Sequence, residues 1–145
     1  MRRVLALVPL ALVAAACGGG SSSAGTTTAP TTTATGPKTL KVAITAQSHH
    51  PKLGHTWTYE VRVTDAATGK PVAARIHLQF WFGGASVGEV GRHSVANGVW
   101  KETIVAHGPN AFPPAAVGQN LLLHAIVTAK GYKRAAAGYR IVVVK

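Results

Sequence analysis

The chain is poor in the groups on which enzyme chemistry most often depends. Its 145 residues include one cysteine, Cys17, and four carboxylates, at Glu60, Asp65, Glu89 and Glu102. The spacing of the carboxylates shows no acidic pair, and there is no Gly-x-Ser-x-Gly elbow, phosphate-binding loop or His-Glu-x-x-His motif. With so few general acids and bases, the sequence predicts a protein that is not an enzyme and uses no cofactor.

A long hydrophobic run is also missing. The apolar stretch at the start, residues 4–16, has 13 residues, whereas a helix needs about 20 to span a bilayer. It follows Arg2 and Arg3 and ends in three alanines, which is the pattern of a secretory signal peptide. We therefore expect residues 1–16 to direct export.

The single cysteine rules out an intrachain disulfide, and its position suggests another use. Ala14-Ala15-Ala16-Cys17, followed by Gly18-Gly19-Gly20-Ser21, resembles the lipobox of bacterial lipoproteins, although that family more often has Leu where Ala14 stands. The resemblance implies that Cys17 carries a diacylglycerol and holds the protein at the extracytoplasmic face of the cell membrane. Secretion with Cys17 near a free N-terminus and an uncleaved membrane anchor are the alternatives.

Residues 17–37 have the composition of a linker. After Cys17 they contain only Gly, Ser, Thr, Ala and Pro, without a charge, and they cannot bury enough apolar surface to offset chain entropy. We expect a disordered spacer of about 25 Å mean span. A Thr-rich, O-glycosylated stalk is the alternative.

Residues 38–145 are the only foldable part, and they alternate with period two. Apolar side chains fall on every second residue in residues 40–46, 57–63 and 76–82, so each set can cover one side of a core. Asn97-Gly98 is the strongest hairpin signal in the chain and predicts that residues 86–95 pair with residues 99–106. Within the latter, Trp100 is expected to face inward, which places Glu102 near an edge or beyond a bulge.

Residues 121–129, apolar on both faces, and residues 139–144 complete seven short strands, the number expected of a two-sheet antiparallel sandwich. Thr68-Gly69-Lys70-Pro71-Val72 and the closing Ala125-Ile126-Val127-Thr128-Ala129-Lys130-Gly131-Tyr132 resemble bacterial immunoglobulin-like and fibronectin type III-like modules. The resemblance implies an all-β, seven-stranded antiparallel immunoglobulin-like β-sandwich over residues 38–145. The resemblance assigns a function to no particular residue. The usual roles of such modules are presentation, spacing and adhesion.

Positive charge predominates. The formal net charge is +11, to which Arg2 and Arg3 contribute two. This balance favours weak attraction to an anionic cell surface, or binding of an anionic envelope polymer or lipid headgroups. Nucleic acid is not expected as a partner, because no recognised binding motif is present.

Two groups of side chains are candidates for ligand binding. His49, His50 and His55 precede the second strand and share one end of a seven-strand sandwich with His107, so they could hold zinc or copper. A solvated loop is the alternative, since no carboxylate or thiol is nearby and Lys52 opposes a cation. The second group shares the outward face of the third strand and could meet a sugar or a protein partner: Arg75, His77, Gln79 and Trp81. For Trp81 the alternative is a structural role, covered by a neighbouring strand or turned inward.

The sequence therefore predicts a lipid-anchored, surface-displayed module of the bacterial cell envelope that binds or presents and does not catalyse. An envelope protein that handles zinc or copper through the histidines is one alternative. A module that binds an anionic polymer or a glycan is the other.

Overall fold

The computed structural model describes residues 36–145, which form the β-sandwich. The predicted signal peptide, Cys17 and the predicted linker up to residue 35 lie outside the described residues. Within residues 36–145, no helix is long and apolar enough to span a membrane.

Seven strands and one short 3-10 turn make up the domain. The strands are β1 (Leu40–Ala46), β2 (Trp57–Asp65), β3 (Ala74–Phe82), β4 (Ala85–Val95), β5 (Val99–Ile104), β6 (Asn120–Thr128) and β7 (Ala135–Val142), with the turn at Pro114–Ala116. One sheet has the order β1-β2-β5 and the other β4-β3-β6-β7, and every ladder is antiparallel. The domain is therefore a seven-stranded antiparallel β-sandwich, as the alternating pattern predicts, with the immunoglobulin-like architecture that the resemblance implies.

The core lies between the two sheets. Each strand sends alternate side chains inward because successive residues point to opposite faces. Val61 and Val63 on β2 face Leu78 on β3 and Leu123 on β6, and all four side chains are fully buried. β6 is central in its sheet, between β3 and β7, as its two apolar faces predict.

The predicted pairing of the strands around Asn97-Gly98 is wrong. These residues join β4 to β5, but the two strands belong to different sheets. The Gly98 carbonyl accepts a 2.7 Å hydrogen bond from the Val63 N–H, which directs the following strand onto β2. The tight hairpin with positive φ at both central residues occurs instead at Gly83-Gly84, between β3 and β4.

The last strand begins at Ala135, four residues before the predicted start. The added residues, Ala135-Ala136-Ala137-Gly138, lack the bulky apolar residues that mark a strand in a sequence. They are extended because they pair with β6. A side chain at Gly138 would lie 2.7 Å from Cδ1 of Leu122, so the small residue lets Leu122 pack across β7.

The chain enters the sandwich at one end and carries its longest connection at the other. Near the entry, the Lys38 N–H donates to the Gly131 carbonyl and the Lys38 carbonyl accepts from Lys133. The opposite end carries the connections β1–β2, β3–β4 and β5–β6, the last of which spans residues 105–119.

Candidate functional site

The predicted histidine site lies at the end of the sandwich opposite the chain entry. The β1–β2 connection carries His49, His50 and His55, and the β5–β6 connection carries His107. His107 approaches the first connection at Gly54, because its Cε1 atom would lie 3.8 Å from a Cβ atom placed there. The two connections therefore meet at one rim.

The arrangement at this rim supplies no set of metal ligands. The Nδ1 atom of His49 lies 2.7 Å from the carbonyl oxygen of Arg140, and its ring stacks on Tyr139 with centroids 4.3 Å apart. In the part of the chain that the structure describes, no group of three or more His, Cys, Asp or Glu side chains is placed to hold a metal ion. Metal binding at His49, His50, His55 and His107 stays a prediction.

The predicted ligand face lies on the outer side of β3, where three of its side chains form a hydrogen-bonded chain with Glu89. The His77 Nε2 atom is 2.5 Å from Glu89 Oε1, and Gln79 Nε2 donates to Glu89 Oε2 at 3.1 Å. Trp81 Nε1 donates in turn to Gln79 Oε1 at 3.2 Å. The hydrogen bond from Gln79, followed by that from His77, holds the pKa of the Glu89 carboxyl below its usual range.

Trp81 is half-buried on this face and does not stand free. Its ring packs edge-on against His124 of β6, with centroids 4.8 Å apart. The Nδ1 atom of His124 is buried and has no hydrogen-bond partner among residues 36–145. Binding of a ligand by Arg75, His77, Gln79 and Trp81 stays a prediction.

The same side of the four-stranded sheet carries a basic depression of about 450 Å³. Three exposed arginines on different segments line it together with hydroxyl side chains. We call this surface the arginine face, and it consists of Arg75, His77, Arg92, Ser94, Thr128 and Arg134. Guanidinium groups around one depression suit phosphate, sulfate or carboxylate groups.

A larger cavity of about 530 Å³ opens between the two sheets, at the end opposite the chain entry. We call it the edge cavity, because it lies between β4 and β5, which are edge strands of different sheets. Its volume falls within the range of about 300–1,000 Å³ that is typical of small-molecule sites. Its larger apolar lining residues are Phe80, Phe82, Val87, Val90, Ile104, Val105, Phe112 and Leu121.

Irregular pairing of β4 explains part of this cavity. The register of β4 on β3 shifts twice, which leaves Val90 and Val87 without a partner on β3. Such bulges bend a strand and turn its side chains out of the regular alternation. Both unpaired valines line the edge cavity.

The wall of the cavity on the loop side comes from the β5–β6 connection. Phe112 of this connection is buried, and its ring packs against Phe80 of β3 and Trp57 of β2 with centroid distances of 5.6 and 5.9 Å. Phe112 therefore fixes the loop over the end of the core.

Most of the large apolar side chains that the described residues expose lie at this cavity. Phe82, Val87 and Val105 are 46%, 59% and 44% exposed, and all three line it. Val99 is the other large apolar side chain exposed in residues 36–145, and it lies outside the lining. A cluster of exposed apolar groups around a concavity is typical of a binding site.

A carboxylate lies on the β5 wall of the cavity. Glu102 is half-buried there, and its Oε2 atom accepts hydrogen bonds from Tyr59 Oη at 2.6 Å and from Trp100 Nε1 at 3.0 Å. The His93 ring of β4 stacks on Trp100 with centroids 3.9 Å apart, and its Nε2 atom is 3.7 Å from Glu102 Oε2. This stack joins the edges of the two sheets beside the open cavity.

The predictions from sequence did not identify this cavity, although Trp100 is partly buried and Glu102 is on an edge strand as expected. Two features of the sequence are typical of such a site. The β5–β6 connection has 15 residues, and connections of that length are often functional. Gly88 and Gly91 interrupt β4, and glycine inside a strand often marks a bulge.

Comparisons with known proteins add little. No protein-family model and no curated protein matches the chain. Among solved structures, the sandwich is similar to Spo0M, a sporulation control protein from Bacillus subtilis, with a TM-score of 0.47 and 14% identity. The match covers 74% of this chain and 50% of that chain, so it spans half the length of the other protein.

Proposed function

We propose that this protein is a non-catalytic binding module of the cell envelope that binds a small apolar molecule in the edge cavity. It is held at the extracytoplasmic face of the cell membrane by a lipid on Cys17. The observation that carries the binding proposal is the cavity itself, with three exposed apolar side chains around it. The anchor rests on the sequence at residues 1–17 alone.

The position of the cavity suits a tethered protein. Residues 36–38 lead into the sandwich beside Gly131 and Lys133, whereas the cavity is at the opposite end, beneath the β5–β6 connection. The point at which the chain joins the sandwich and the opening of the cavity are therefore at opposite ends of the domain.

The proposal is tested by titrating the full chain carrying Cys17→Ser with the neutral apolar probe N-phenylnaphthylamine. The serine variant avoids detergent, which would compete for the cavity. We expect saturable binding with enhanced fluorescence of the probe. Replacing Phe82 with Ser and Val87 with Asn together should weaken binding by about fivefold, because roughly 1 kcal/mol of apolar contact is lost.

Val99→Asn is the matched control, since Val99 is an exposed valine on an edge strand but does not line the cavity. It should bind the probe like the parent chain. Absence of saturable binding, or equal loss in the control and in the cavity variant, would refute the binding proposal.

The arginine face supports a second candidate function, the binding of an anionic envelope polymer. Three arginines from β3, β4 and the segment before β7 surround one depression in a chain with four acidic residues. Such binding would weaken as salt screens the charges.

A pull-down with a teichoic polymer tests this candidate. Arg75→Gln with Arg92→Gln should reduce capture, whereas Lys41→Gln with Lys101→Gln removes the same charge from the other sheet and should reduce it much less. Trp81→Ala tests whether the ring of the predicted ligand face contributes. Equal losses in the two double variants would indicate non-specific attraction and would exclude the arginine face as a site.

A further inference from the structure

The polar groups of the edge cavity have a charge opposite to that of the protein. The lining contains two carboxylates, Glu89 and Glu102, and no lysine or arginine. This is unusual in a chain with 15 basic and 4 acidic residues. The Glu89 oxygens bond His77 and Gln79 on the outer side of β3, which leaves Glu102 as the carboxylate available to the cavity.

Hydrogen bonds hold the Glu102 side chain in place, but they use only one of its two carboxylate oxygens. Its Oε2 atom accepts from Tyr59 and Trp100, both neutral donors, whereas Oε1 has no hydrogen-bond partner among residues 36–145. The Glu102 side chain is 26% exposed. A carboxylate that is partly removed from water and lacks a strong cationic partner gains most from a cation that arrives with a ligand.

Among the described residues, one side-chain nitrogen that can become charged lies within 4 Å of the Glu102 carboxylate. It is His93 Nε2 of β4, which is buried and has no hydrogen-bond partner in the described part of the chain. At 3.7 Å it is beyond hydrogen-bond distance from Glu102 Oε2, and it forms an ion pair only when protonated. The other neighbours, Tyr59 and Trp100, supply no positive charge.

We infer that the ligand of the edge cavity is an apolar molecule that carries a cationic group, such as an amine, and that this group pairs with Glu102. The inference rests on the proposed function, because it names the class of molecule that the same cavity binds. The apolar part would contact Ile104 of β5, next to Glu102 on the same face, and the exposed rings and valines at the cavity.

The net charge of the protein would not by itself produce a preference for a cationic ligand. Without Arg2 and Arg3 the formal charge is +9, so long-range attraction favours anions. A preference for a cation must therefore come from groups at the cavity.

The test compares three ligands with the same tail and different heads, namely decylamine, decanol and decanoate, each below its critical micelle concentration. They compete with N-phenylnaphthylamine on the full chain carrying Cys17→Ser at about pH 8, where the amine is charged. We expect decylamine to bind about tenfold more tightly than decanoate, since a close charge pair at a partly desolvated site is worth a factor of this order.

Glu102→Gln should abolish this preference, because the amide oxygen can still accept from Tyr59 and Trp100 but the side chain no longer carries a charge. Glu89→Gln is the matched control, and it should keep the preference. If Glu102→Gln does not fold, Glu102→Asp replaces it and should reduce the preference by withdrawing the carboxylate.

Binding of all three ligands with equal affinity, or tighter binding of decanoate, would overturn the inference while leaving the proposed function intact. A preference for decylamine that survives Glu102→Gln would also overturn it. If the probe binds saturably and none of the three ligands displaces it, the inference fails and the proposed function stands. If the probe itself does not bind, both fail.

Discussion

Tyr59 Oη donates a 2.6 Å hydrogen bond to Glu102 Oε2 across the ladder between β2 and β5. Tyr59 is 1% exposed, and burial, followed by the hydrogen bond to Glu102, raises the pKa of its phenol. The phenol therefore remains a donor at ordinary pH. One hydrogen bond thus joins the core to the carboxylate of the edge cavity.

Tyr59→Phe is expected to destabilise the domain. The ring still fills its place, but Glu102 loses one of two donors, and removing a partner from a partly buried charged acceptor costs about 1.5–3 kcal/mol. The free energy of unfolding, measured by urea denaturation, should fall by an amount in this range.

Glu102→Ala, which removes the acceptor of this hydrogen bond, and the double variant complete a thermodynamic cycle with Tyr59→Phe. Because the two side chains are in contact, the two losses should not add. Additive losses would mean that the hydrogen bond contributes nothing specific to stability.

Asp65 is expected to make the stability of the fold depend on pH. It is buried at the end of β2, where Oδ1 accepts from the N–H groups of Ala67 and Thr68 and Oδ2 accepts from Tyr132 Oη. The hydrogen bond from the Thr68 N–H, followed by that from Tyr132, lowers the pKa of the Asp65 carboxyl. Its contribution to stability is therefore present above the unfolded value of about 3.9 and is lost as the pH falls through the lower, folded value.

Thermal unfolding at about pH 6 and at successive values below about pH 4 measures this loss. Asp65→Asn should be less stable than the parent at the higher pH, and the difference between the two chains should shrink as the pH falls. Subtracting the two curves removes the effect of the other carboxylates. A difference that does not change with pH would exclude a role for the Asp65 charge.

The fold was predictable from the sequence, and the edge cavity was not, for one physical reason. Alternation in residues 40–46 and 57–63 specifies which side chains face the core wherever strands pair regularly. The cavity forms where β4 pairs irregularly with β3. Val87 and Val90 therefore do not follow the alternation of inward and outward side chains. A bulge depends on contacts with the neighbouring strand, which a sequence pattern does not report.

The error at Asn97-Gly98 has a related cause. The dipeptide marks a turn correctly, but whether the turn closes a hairpin or crosses between sheets depends on which strand receives its hydrogen bonds. Here the Gly98 carbonyl bonds the Val63 N–H of β2. The local signal identified the reversal of the chain and could not identify the partner strand.

Gly98→Ala should therefore be strongly destabilising. Gly98 has φ of +65°, and a Cβ atom would clash with the Val63 carbonyl oxygen and lie 2.9 Å from the Val72 nitrogen. The positive φ costs about 1–2 kcal/mol for alanine, and the backbone clash should raise the total loss in unfolding free energy above about 3 kcal/mol.

Gly69→Ala is the matched control for this change. Its φ is +69°, but nothing lies within 4 Å of the added atom, so only the conformational cost of about 1–2 kcal/mol remains. Urea denaturation of both variants separates the clash from the φ effect. Equal losses would show that the close approach to β2 is unimportant.

The histidine rim is tested by calorimetry with zinc and with copper. Because His49 already bonds the Arg140 carbonyl and stacks on Tyr139, we expect no saturable heat that depends on His49 or His50. The parent chain is compared with a variant carrying His49→Ala and His50→Ala. A binding heat that disappears in the variant would instead support the metal-handling hypothesis.

Cys17→Ser should release the protein from the membrane. One acyl chain gives only marginal binding, whereas two or more hold a protein firmly, so loss of the acceptor thiol should move the chain to the soluble extracytoplasmic fraction. Fractionation of cells and mass spectrometry of the N-terminus measure the change, and Ser21→Ala, a polar change in the linker, is the control that should remain anchored. Unchanged membrane association of Cys17→Ser, or a native N-terminus that begins at Met1 without lipid, would contradict both the anchor and the location that we propose.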